Sequence, residues 1–330
     1  MIKGKPFGYP ILLLLLGFLM AWLMVACHPS SPKDVRRSIS SGSDCYIMQH
    51  SLGKACIPKD PQRVVALNPS ALGNAIALGI KPIASVFEYD HRFPFPNYLQ
   101  DKTKGIELLG IWAEPSIERM ILLKPDVMIG WQHNHQAIYP QLSAIAPTVF
   151  YDWLDGNRRD DQQNWKWYFN FMAKVLNRQE AAAKVWQHYQ QRVEKLKTAL
   201  GDRYRHKTIS FIFFCCGGIL SEQSFAGSVL SDVGLQGPPS QQGKSRVGFR
   251  FSEESLDMVD GDVMFVAVYG GRETGERDFK RLQKNPLWAK LKVVQQKRVY
   301  SVDPTAWRGR TPLAADVILD DLEKYLINTP

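Results

Sequence analysis

The sequence lacks the short motifs that mark the commonest enzyme sites. Its 330 residues contain no Gly-x-Ser-x-Gly nucleophile elbow, no His-Glu-x-x-His helix and no glycine-rich phosphate-binding loop. Basic residues never run beyond a pair, so the formal net charge of +9 does not indicate a nucleic-acid-binding tract. Cysteine is scarce, with five residues in the chain. The absence of these motifs favours a binding role over an enzyme. An enzyme whose catalytic residues came from separate parts of the chain would, however, show none of these motifs.

A single long apolar run lies near the N-terminus. Lys3 and Lys5 precede the run 11–26, which is short for a bilayer span and has the flanks of a signal-peptide core. The run ends in Leu-Met-Val-Ala-Cys, which resembles a bacterial lipobox. We predict cleavage of residues 1–26, lipidation of Cys27 and a membrane-anchored location in the periplasm or cell envelope. The alternative is that the apolar run is retained as a membrane anchor, which would also place the rest of the chain outside the cytosol. Cleavage of residues 1–26 would remove Lys3 and Lys5 and leave a formal net charge of +7.

The next segment, 27–60, combines a tether with two cysteines. Its first part is rich in serine and has almost no large apolar residue, which is typical of a solvated linker. Because nearby thiols of exported proteins are usually bridged, we predict a disulfide between Cys45 and Cys56 that stabilises by about 2–3 kcal/mol. Cys215 and Cys216 lie in an apolar strand and are predicted to be buried thiols, with a rare vicinal disulfide as the alternative.

The chain is organised around one amphipathic helix, predicted at 178–200. Its apolar side chains recur at the spacing of a single helical face. They are Ala182, Val185, Trp186, Tyr189, Val193, Leu196 and Leu200. Asn177 followed by Glu180 has the form of a capping box, and Gly201 stands where the helix ends. Such a helix is about 35 Å long and can join two bodies as a stiff rod; a surface helix within one domain is the alternative.

The segments on either side of this helix, 61–177 and 201–330, both alternate between predicted strands and helices. Strands are predicted at 63–67, 82–86, 126–130, 148–151, 208–214, 263–268 and 298–302. Helices are predicted at 71–79, 116–123, 136–145, 162–176, 225–233, 253–258, 286–291 and 312–326. This alternation indicates parallel sheets covered on both faces by helices. The fold class is therefore α/β, with two lobes joined by the connecting helix.

An internal echo links the two halves. Residues 116–129 align without a gap on residues 252–265, and serine, glutamate, aspartate, valine and methionine coincide at five positions. The aligned glutamates are Glu118 and Glu254. A helix–turn–strand unit repeated in each half indicates that the lobes share a topology.

Aromatic and basic side chains recur just after the predicted strands. They also occur in the loops before the two helices that the internal echo aligns. In open α/β sheets, ligands bind outside the carboxyl ends of the strands, so two facing lobes line one cleft. Aromatic faces and guanidinium groups suit a bulky, partly apolar anion. The candidate ligand-binding residues are Trp112, Trp131, His133, Tyr151, Trp153, Arg250, Tyr269, Arg272, Trp307 and Arg308. Any one of the aromatics can instead be a core residue, and His133 with His135 can instead form part of a metal site.

The chain resembles the iron-siderophore substrate-binding lipoproteins of bacterial ABC importers, especially the cyanobacterial type. The resemblance runs from Cys45 to Leu326 and is carried by the order and spacing of short segments. They include Pro61-Gln-Arg-Val-Val-Ala, Ala77-Leu-Gly-Ile-Lys-Pro-Ile, Leu109-Gly-Ile-Trp-Ala-Glu-Pro-Ser, Leu123-Lys-Pro-Asp-Val, Tyr139-Pro-Gln-Leu-Ser, Ala146-Pro-Thr-Val and the stretch from Trp307 to Asp321. It implies a class III periplasmic binding protein, with two Rossmann-like lobes joined by one rigid helix and little lobe movement.

The same resemblance implies roles for particular residues. Trp112, Trp131, Arg250 and the loop holding Trp307 would contact the ligand. That ligand is a ferric siderophore whose iron is already chelated, so no metal ligand or cofactor is expected from the protein.

The resemblance also implies partners. Glu118 and Glu254 would dock on arginines of the inner-membrane ABC permease, and the binding protein would act as a monomer. Cobalamin or haem, bare divalent metal and an envelope enzyme remain rival interpretations. Trp112 stands where some hydroxamate binders have arginine, which weakens a hydroxamate assignment.

Overall fold

The computed structural model describes residues 45–87, 94–152, 164–215, 218–221, 225–242, 249–269 and 274–327. The expectations for the signal peptide, the lipidated Cys27, the tether, Trp153, Cys216 and Arg272 lie outside these residues. Among the helices within these ranges, none has the length and apolar character needed to cross a bilayer.

An antiparallel hairpin opens the described chain. Strands β1 (Cys45–His50) and β2 (Gly53–Pro58) pair in register, and a disulfide joins Cys45 to Cys56. The Tyr46 hydroxyl donates to the carbonyl oxygen of Val175 at 2.6 Å, which ties the hairpin to a later helix. The predicted disulfide is confirmed, whereas the strands that carry it were not predicted.

Loss of this disulfide should destabilise the folded chain. We expect Cys45→Ser with Cys56→Ser to lower the free energy of unfolding by about 2–3 kcal/mol, because the open chain regains the entropy of a short closed loop. Urea unfolding followed by circular dichroism measures the change, and wild type in reducing buffer should reproduce it. Equal stability of the oxidised and the double-serine proteins would contradict the expectation.

The N-terminal lobe is built on a five-stranded, fully parallel sheet of order β5-β4-β3-β6-β7. The strands are β3 (Val64–Ala66), β4 (Ala84–Phe87), β5 (Glu107–Ile111), β6 (Val127–Trp131) and β7 (Thr148–Tyr151). The helices are α1 (Pro69–Ala77), α2 (Ile117–Leu123), α3 (Gln132–His135), α4 (Tyr139–Ile145) and α5 (Asn164–Val175), with 3-10 turns at Asn97–Lys102 and Gln136–Ile138. Successive residues of β3 pack on opposite faces of the sheet. Val64 belongs to one hydrophobic core and Val65 to another, so both faces of the sheet are covered.

The C-terminal lobe is built on a second five-stranded sheet, of order β10-β9-β8-β11-β12. Its strands are β8 (Ile209–Cys215), β9 (Gly218–Ser221), β10 (Phe249–Phe251), β11 (Val263–Val268) and β12 (Val299–Val302). Strands β8, β11 and β12 are parallel, whereas β9 and β10 run antiparallel to their neighbours, so this sheet is mixed. Neighbouring residues of β8 again pack into different cores, Phe211 into one and Ile212 into the other, so this sheet is also covered on both faces.

Helices and short turns surround this second sheet. The helices are α7 (Ala226–Asp232), α8 (Thr274–Leu282), α9 (Pro286–Lys290), α10 (Lys292–Gln295), α11 (Pro304–Trp307) and α12 (Pro312–Leu322). The 3-10 turns are Pro239–Gln241 and Glu253–Val259, and a π turn at Glu323–Ile327 closes the described chain.

The connecting helix α6 (Gln179–Leu200) joins the lobes as predicted. Ala182 packs in the N-terminal core, Val193 packs in the C-terminal core, and Trp186 contacts both. The predicted capping box is wrong: the N-cap is Arg178, and its side chain makes no capping hydrogen bond. Asn177 instead ends α5 in the left-handed conformation, at φ 52°. Its N–H and that of Arg178 close a Schellman motif on the last turn of α5.

The internal echo corresponds to one structural unit repeated in both lobes. Strands β6 and β11 each occupy the fourth place in their sheets. The Asp126 carboxylate accepts the backbone N–H of Arg63 just before β3, and the Asp262 carboxylate accepts that of Thr208 just before β8, both at 2.8 Å. The N–H groups of the two aspartates donate back to the same partners' carbonyl oxygens. The lobes therefore share this part of their topology, and α2 corresponds to the 3-10 turn Glu253–Val259.

Glycines allow the lobes to approach closely beside the connecting helix. A Cβ atom at Gly73 of α1 would lie 2.8 Å from Thr311 Cγ2, and one at Gly309 would lie 2.7 Å from the Tyr98 hydroxyl. Farther along, the Trp165 indole N–H donates to Ser228 Oγ at 2.7 Å across the lobes. The lobes are thus held by direct contacts as well as by α6.

Candidate ligand-binding site

The carboxyl ends of the two sheets face each other. Ser70, just after β3, donates from its hydroxyl to the carbonyl oxygen of Gly309 at 3.2 Å. Asn97, which follows β4, donates its backbone N–H to Thr305 Oγ1 at 3.1 Å. Because Thr305 and Gly309 follow β12, loops after strands of both lobes meet at one place. A ligand that binds outside the strand ends therefore has walls from both lobes.

The N-terminal wall carries an aromatic pair. Trp131 is the last residue of β6 and is half-buried, and the exposed His133 ring stacks on it with centroids 5.5 Å apart at 20°. Trp112 follows β5 and is also half-buried. These residues offer flat apolar surface with one imidazole at its edge.

A buried histidine fixes the backbone of this wall. His135, at the end of α3, has no exposed surface, and its Nε2 donates to the Trp112 carbonyl oxygen at 2.7 Å. Burial lowers the pKa of His135, against the opposing effect of hydrogen bonds with the backbone of Trp112 and Trp131. The side chain is thus a neutral donor that ties the loop after β5 to the loop after β6. Its Nε2 atom is therefore engaged by a backbone carbonyl group.

Replacement of His135 should reveal this role through pH. The folded pKa of His135 lies below the 6.5 of an unfolded histidine, so its contribution to stability is complete above pH 6.5 and declines as pH falls. We expect His135→Gln, which keeps an N–H donor, to flatten the decline in the free energy of unfolding between pH 7 and pH 5. Urea unfolding at several pH values measures it, with His206→Gln at an exposed position as control. Parallel profiles for wild type and His135→Gln would contradict the expectation.

The C-terminal wall carries two arginines. The Arg308 guanidinium lies over the Phe213 ring at 4.4 Å and the Tyr269 ring at 5.1 Å, at the carboxyl ends of β8 and β11. Arg310, in the left-handed conformation at φ 54°, donates from Nη1 to the carbonyl oxygen of Arg308 at 3.1 Å. The two side chains are both half-buried, so their charges are held in place near the strand ends.

Electrostatics connects the walls. Partial desolvation lowers the pKa of His133, electrostatic interactions with the His135 imidazole and with Arg310 lower it further, and Asp152 raises it. Asp152 directly follows β7, so groups from both lobes lie within electrostatic reach of one imidazole. Sequence reasoning did not assign Asp152 or Arg310 to the site. Their positions in the chain could have indicated a place in the site: Asp152 directly follows β7, and Arg310 lies two residues after Arg308.

Two predicted ligand contacts are core residues instead. Trp307 has no exposed surface, packs on Phe265 with ring centroids 4.6 Å apart, and donates its indole N–H to Asp321 Oδ2 at 2.8 Å. Tyr151 is 2% exposed, and its hydroxyl donates to Asn164 Oδ1 at 2.7 Å. Neither ring presents a face to the cleft, so the structure corrects both assignments.

The remaining predicted contacts stay predictions. The structure brings together Trp112, Trp131 and His133 on one wall, and Tyr269 and Arg308 on the other. Arg250 lies in the short edge strand β10, opposite Leu220 of β9. Among the residues that the structure describes, no cluster of three or more His, Cys, Asp or Glu side chains has a metal-binding arrangement.

The predicted docking carboxylates occupy equivalent exposed positions. Glu118 lies in the first turn of α2, where Ser116 is the N-cap and its hydroxyl donates to Glu118 Oε2 at 3.1 Å. Glu254 lies in the first turn of the 3-10 segment that follows Ser252, and a hydrogen bond with Ser252 lowers the pKa of Glu254. The pair that the resemblance implies, and that the internal echo aligns, is therefore exposed on both lobes, and its docking role stays a prediction.

Two α/β lobes, one long connecting helix and loops that meet at the strand ends are the architecture of a two-lobed solute-binding protein. The model of the periplasmic binding protein family matches residues 64–306, and the chain belongs to this family. Its fold is that of class III members, in which one rigid helix joins the lobes.

Known proteins of this family are similar along nearly the whole chain. The probable siderophore-binding lipoprotein YfiY of Bacillus subtilis is 33% identical over 96% of this chain and 98% of its own. The achromobactin-binding periplasmic protein of Dickeya dadantii is 30% identical over 80% of this chain and 86% of its own. The structure of Staphylococcus aureus SirA complexed with staphyloferrin B superposes with a TM-score of 0.73 at 22% identity, covering 85% of this chain and 98% of SirA.

Proposed function

We propose that this protein captures an anionic ferric siderophore between its lobes and delivers it to an ABC permease. The observation that carries the proposal is the placement of Arg308 and Arg310 on one wall, opposite the Trp131 and His133 rings on the other. Iron enters already chelated, so the side chains contact the chelator and not the metal.

The chemistry of the arginines favours a chelator that carries carboxylates. A guanidinium group binds a carboxylate through two parallel hydrogen bonds, and it remains charged at any physiological pH. On the opposite wall, Asp152 lies within electrostatic reach of His133, so the described part of the site pairs a carboxylate on one wall with two fixed cations on the other. Such a balance suits a ferric polycarboxylate better than a neutral or cationic ferric hydroxamate.

The names of the relatives support a siderophore as the ligand. YfiY is described as siderophore-binding, the Dickeya protein as achromobactin-binding, and SirA was solved with staphyloferrin B. With these ligands in related proteins, an envelope enzyme and a cobalamin or haem carrier become the weaker alternatives.

Binding of defined chelates tests the proposal. Purified protein would be titrated with ferric citrate, a ferric catecholate, a ferric hydroxamate, cobalamin and haem, with tryptophan fluorescence as readout. We expect saturable quenching by an anionic ferric chelate at micromolar concentration or below, and none by the iron-free chelator at the same concentration. Tight binding of cobalamin or haem with no response to any ferric chelate would refute the ligand class.

Location and partners complete the proposal. Lipidation at Cys27 would hold the protein at a membrane in the cell envelope, where it would act as a monomer. Glu118 and Glu254 would pair with arginines of the permease, one on each lobe. Globomycin-sensitive processing and incorporation of labelled palmitate, lost in Cys27→Ala, would test the anchor.

A further inference from the structure

Each lobe exposes one large apolar side chain four residues after its docking carboxylate. In the N-terminal lobe Leu122 follows Glu118 and is 80% exposed. In the C-terminal lobe Met258 follows Glu254 and is 48% exposed. The internal echo aligns Leu122 with Met258 as it aligns the two glutamates. An acidic residue followed by an exposed apolar residue therefore occurs twice, at equivalent places.

The packing of the two lobes does not account for these side chains. Met120 and Leu256 are aligned in the same echo and are buried at 0% and 1% exposure, so they supply the apolar contact of each segment with its lobe. The solvent-facing positions of such a segment are normally polar. One exposed leucine or methionine is unremarkable on a protein surface. Packing within either lobe does not explain why an exposed apolar side chain recurs at the equivalent position of the repeated unit.

The acidic and apolar groups are close enough to meet one partner surface. Residues four apart on the α-helix α2 lie on one face, about 6 Å apart along the axis. In the C-terminal lobe Glu254 and Met258 belong to one short exposed segment, Glu253–Val259, which bends at the non-helical Ser255. Both carboxylates lie on the exposed surface, and each forms a hydrogen bond with the serine two residues before it.

The surface beside Leu122 also has room for an apolar group. Ile121 is 54% exposed and lines a concavity of about 580 Å³ between α2 and α4. The other lining residues are Ile117, Lys124, Pro125, Gln141, Ala144 and Ile145. This recess adds concave apolar surface beside α2.

We propose that Leu122 and Met258 are permease contacts, each seated in an apolar recess beside the basic residue that pairs with Glu118 or Glu254. The inference rests on the proposed function, because it takes the permease as partner. Two equivalent acidic and apolar pairs complement a partner with two related halves, as in a permease of paired membrane subunits. Anionic lipid is disfavoured as the partner because both carboxylates would face a negative surface.

Site-specific photocrosslinking in cells tests the contact. The full chain would carry a benzophenone amino acid at position 122, 258 or, as control, 47, since Ile47 is 60% exposed on the hairpin. We expect adducts from 122 and 258 that mass spectrometry identifies as the permease subunits, at least tenfold more abundant than from 47. Equal yields from all three positions, or no permease adduct from 122 and 258, would overturn the proposal.

Uptake measures whether the contact matters. Leu122→Ser and Met258→Ser should each lower the initial rate of ⁵⁵Fe-siderophore uptake threefold to tenfold, and the double variant should lower it further. Ile47→Ser should leave it unchanged, and all variants should bind the ferric chelate as wild type does. Unchanged uptake in the double variant would overturn the proposal. The proposal would also be overturned if the wild type bound phosphatidylglycerol vesicles and the serine variants did not, because both residues would then contact the membrane surface.

The two proposals can fail separately. If the wild type binds no ferric chelate, the proposed ligand class is wrong, yet permease adducts from 122 and 258 still establish docking. If the chelate binds and both serine variants import it as fast as the wild type does, only the proposed docking surface is wrong.

Discussion

Replacement of Trp307 by alanine is expected to lower the free energy of unfolding by about 3–5 kcal/mol, the usual cost of removing a buried tryptophan. The indole has no exposed surface and packs on Phe265 and Phe211, with ring centroids 4.6 and 5.0 Å apart. It also donates to Asp321, whose pKa is raised by burial. Removing the indole therefore opens a cavity and takes a donor from a poorly solvated carboxyl group.

Comparison of variants separates these contributions. Trp307→Phe keeps most of the packing and removes the N–H, so we expect a loss of about 1–3 kcal/mol. Trp167→Ala, at a more exposed position, is the control and should cost much less. Urea unfolding followed by circular dichroism measures all three variants.

The same variants decide between a core and a ligand-binding role for Trp307. If the residue is structural, the folded Trp307→Phe protein should bind its ferric chelate with an affinity within threefold of the wild type. A loss of affinity above tenfold with unchanged stability would restore Trp307 to the binding site and contradict its placement in the core.

Periodic patterns in the sequence were sufficient for the larger elements. The seven apolar positions of α6 all face the cores or their edges, because a 22-residue helix repeats its pattern often enough to define a face. The five parallel strands of the N-terminal sheet include four that the sequence predicted, since buried strands are short apolar runs.

Single residues at element ends were harder to predict. Asparagine is favoured both at the N-cap and in the left-handed residue that ends a helix. Asn177 lies between α5 and α6 and can serve either one. The structure uses it to end α5, and the side chain of Asn177 donates to the Lys59 carbonyl oxygen. That hydrogen bond joins residues 118 positions apart, so no local sequence pattern indicates it.

Short elements near the cleft show the same limit. Trp307 and Arg308 are neighbours, yet one is buried in the core and the other lies over two rings at the strand ends. Helix α11 has only four residues, so it has no periodicity from which its inward face can be predicted. The antiparallel strands β9 and β10 were likewise missed, because four and three residues give too little pattern.

Removal of both cleft arginines is expected to abolish tight ligand binding. Hydrogen bonds to charged groups contribute about 1.5–3 kcal/mol each, so loss of two guanidinium groups corresponds to roughly 100-fold or more in affinity. We therefore expect Arg308→Gln with Arg310→Gln to raise the Kd for an anionic ferric chelate at least 100-fold. Arg308→Lys should bind better than Arg308→Gln but worse than wild type, because an ammonium keeps the charge and loses the planar, two-donor geometry.

The control must remove the same charge elsewhere. Lys284→Ala with Lys290→Ala takes two cations from exposed positions outside the cleft loops, and its Kd should stay within twofold of the wild type. Fluorescence titration at two ionic strengths gives the affinities, and circular dichroism establishes that every variant is folded. Stacking on Phe213 and Tyr269 also holds the Arg308 charge where water is partly excluded, so its loss should matter more than that of a surface lysine. Equal losses in the arginine and lysine pairs would mean that binding depends on overall charge, and the assignment of these two arginines to the ligand would be wrong.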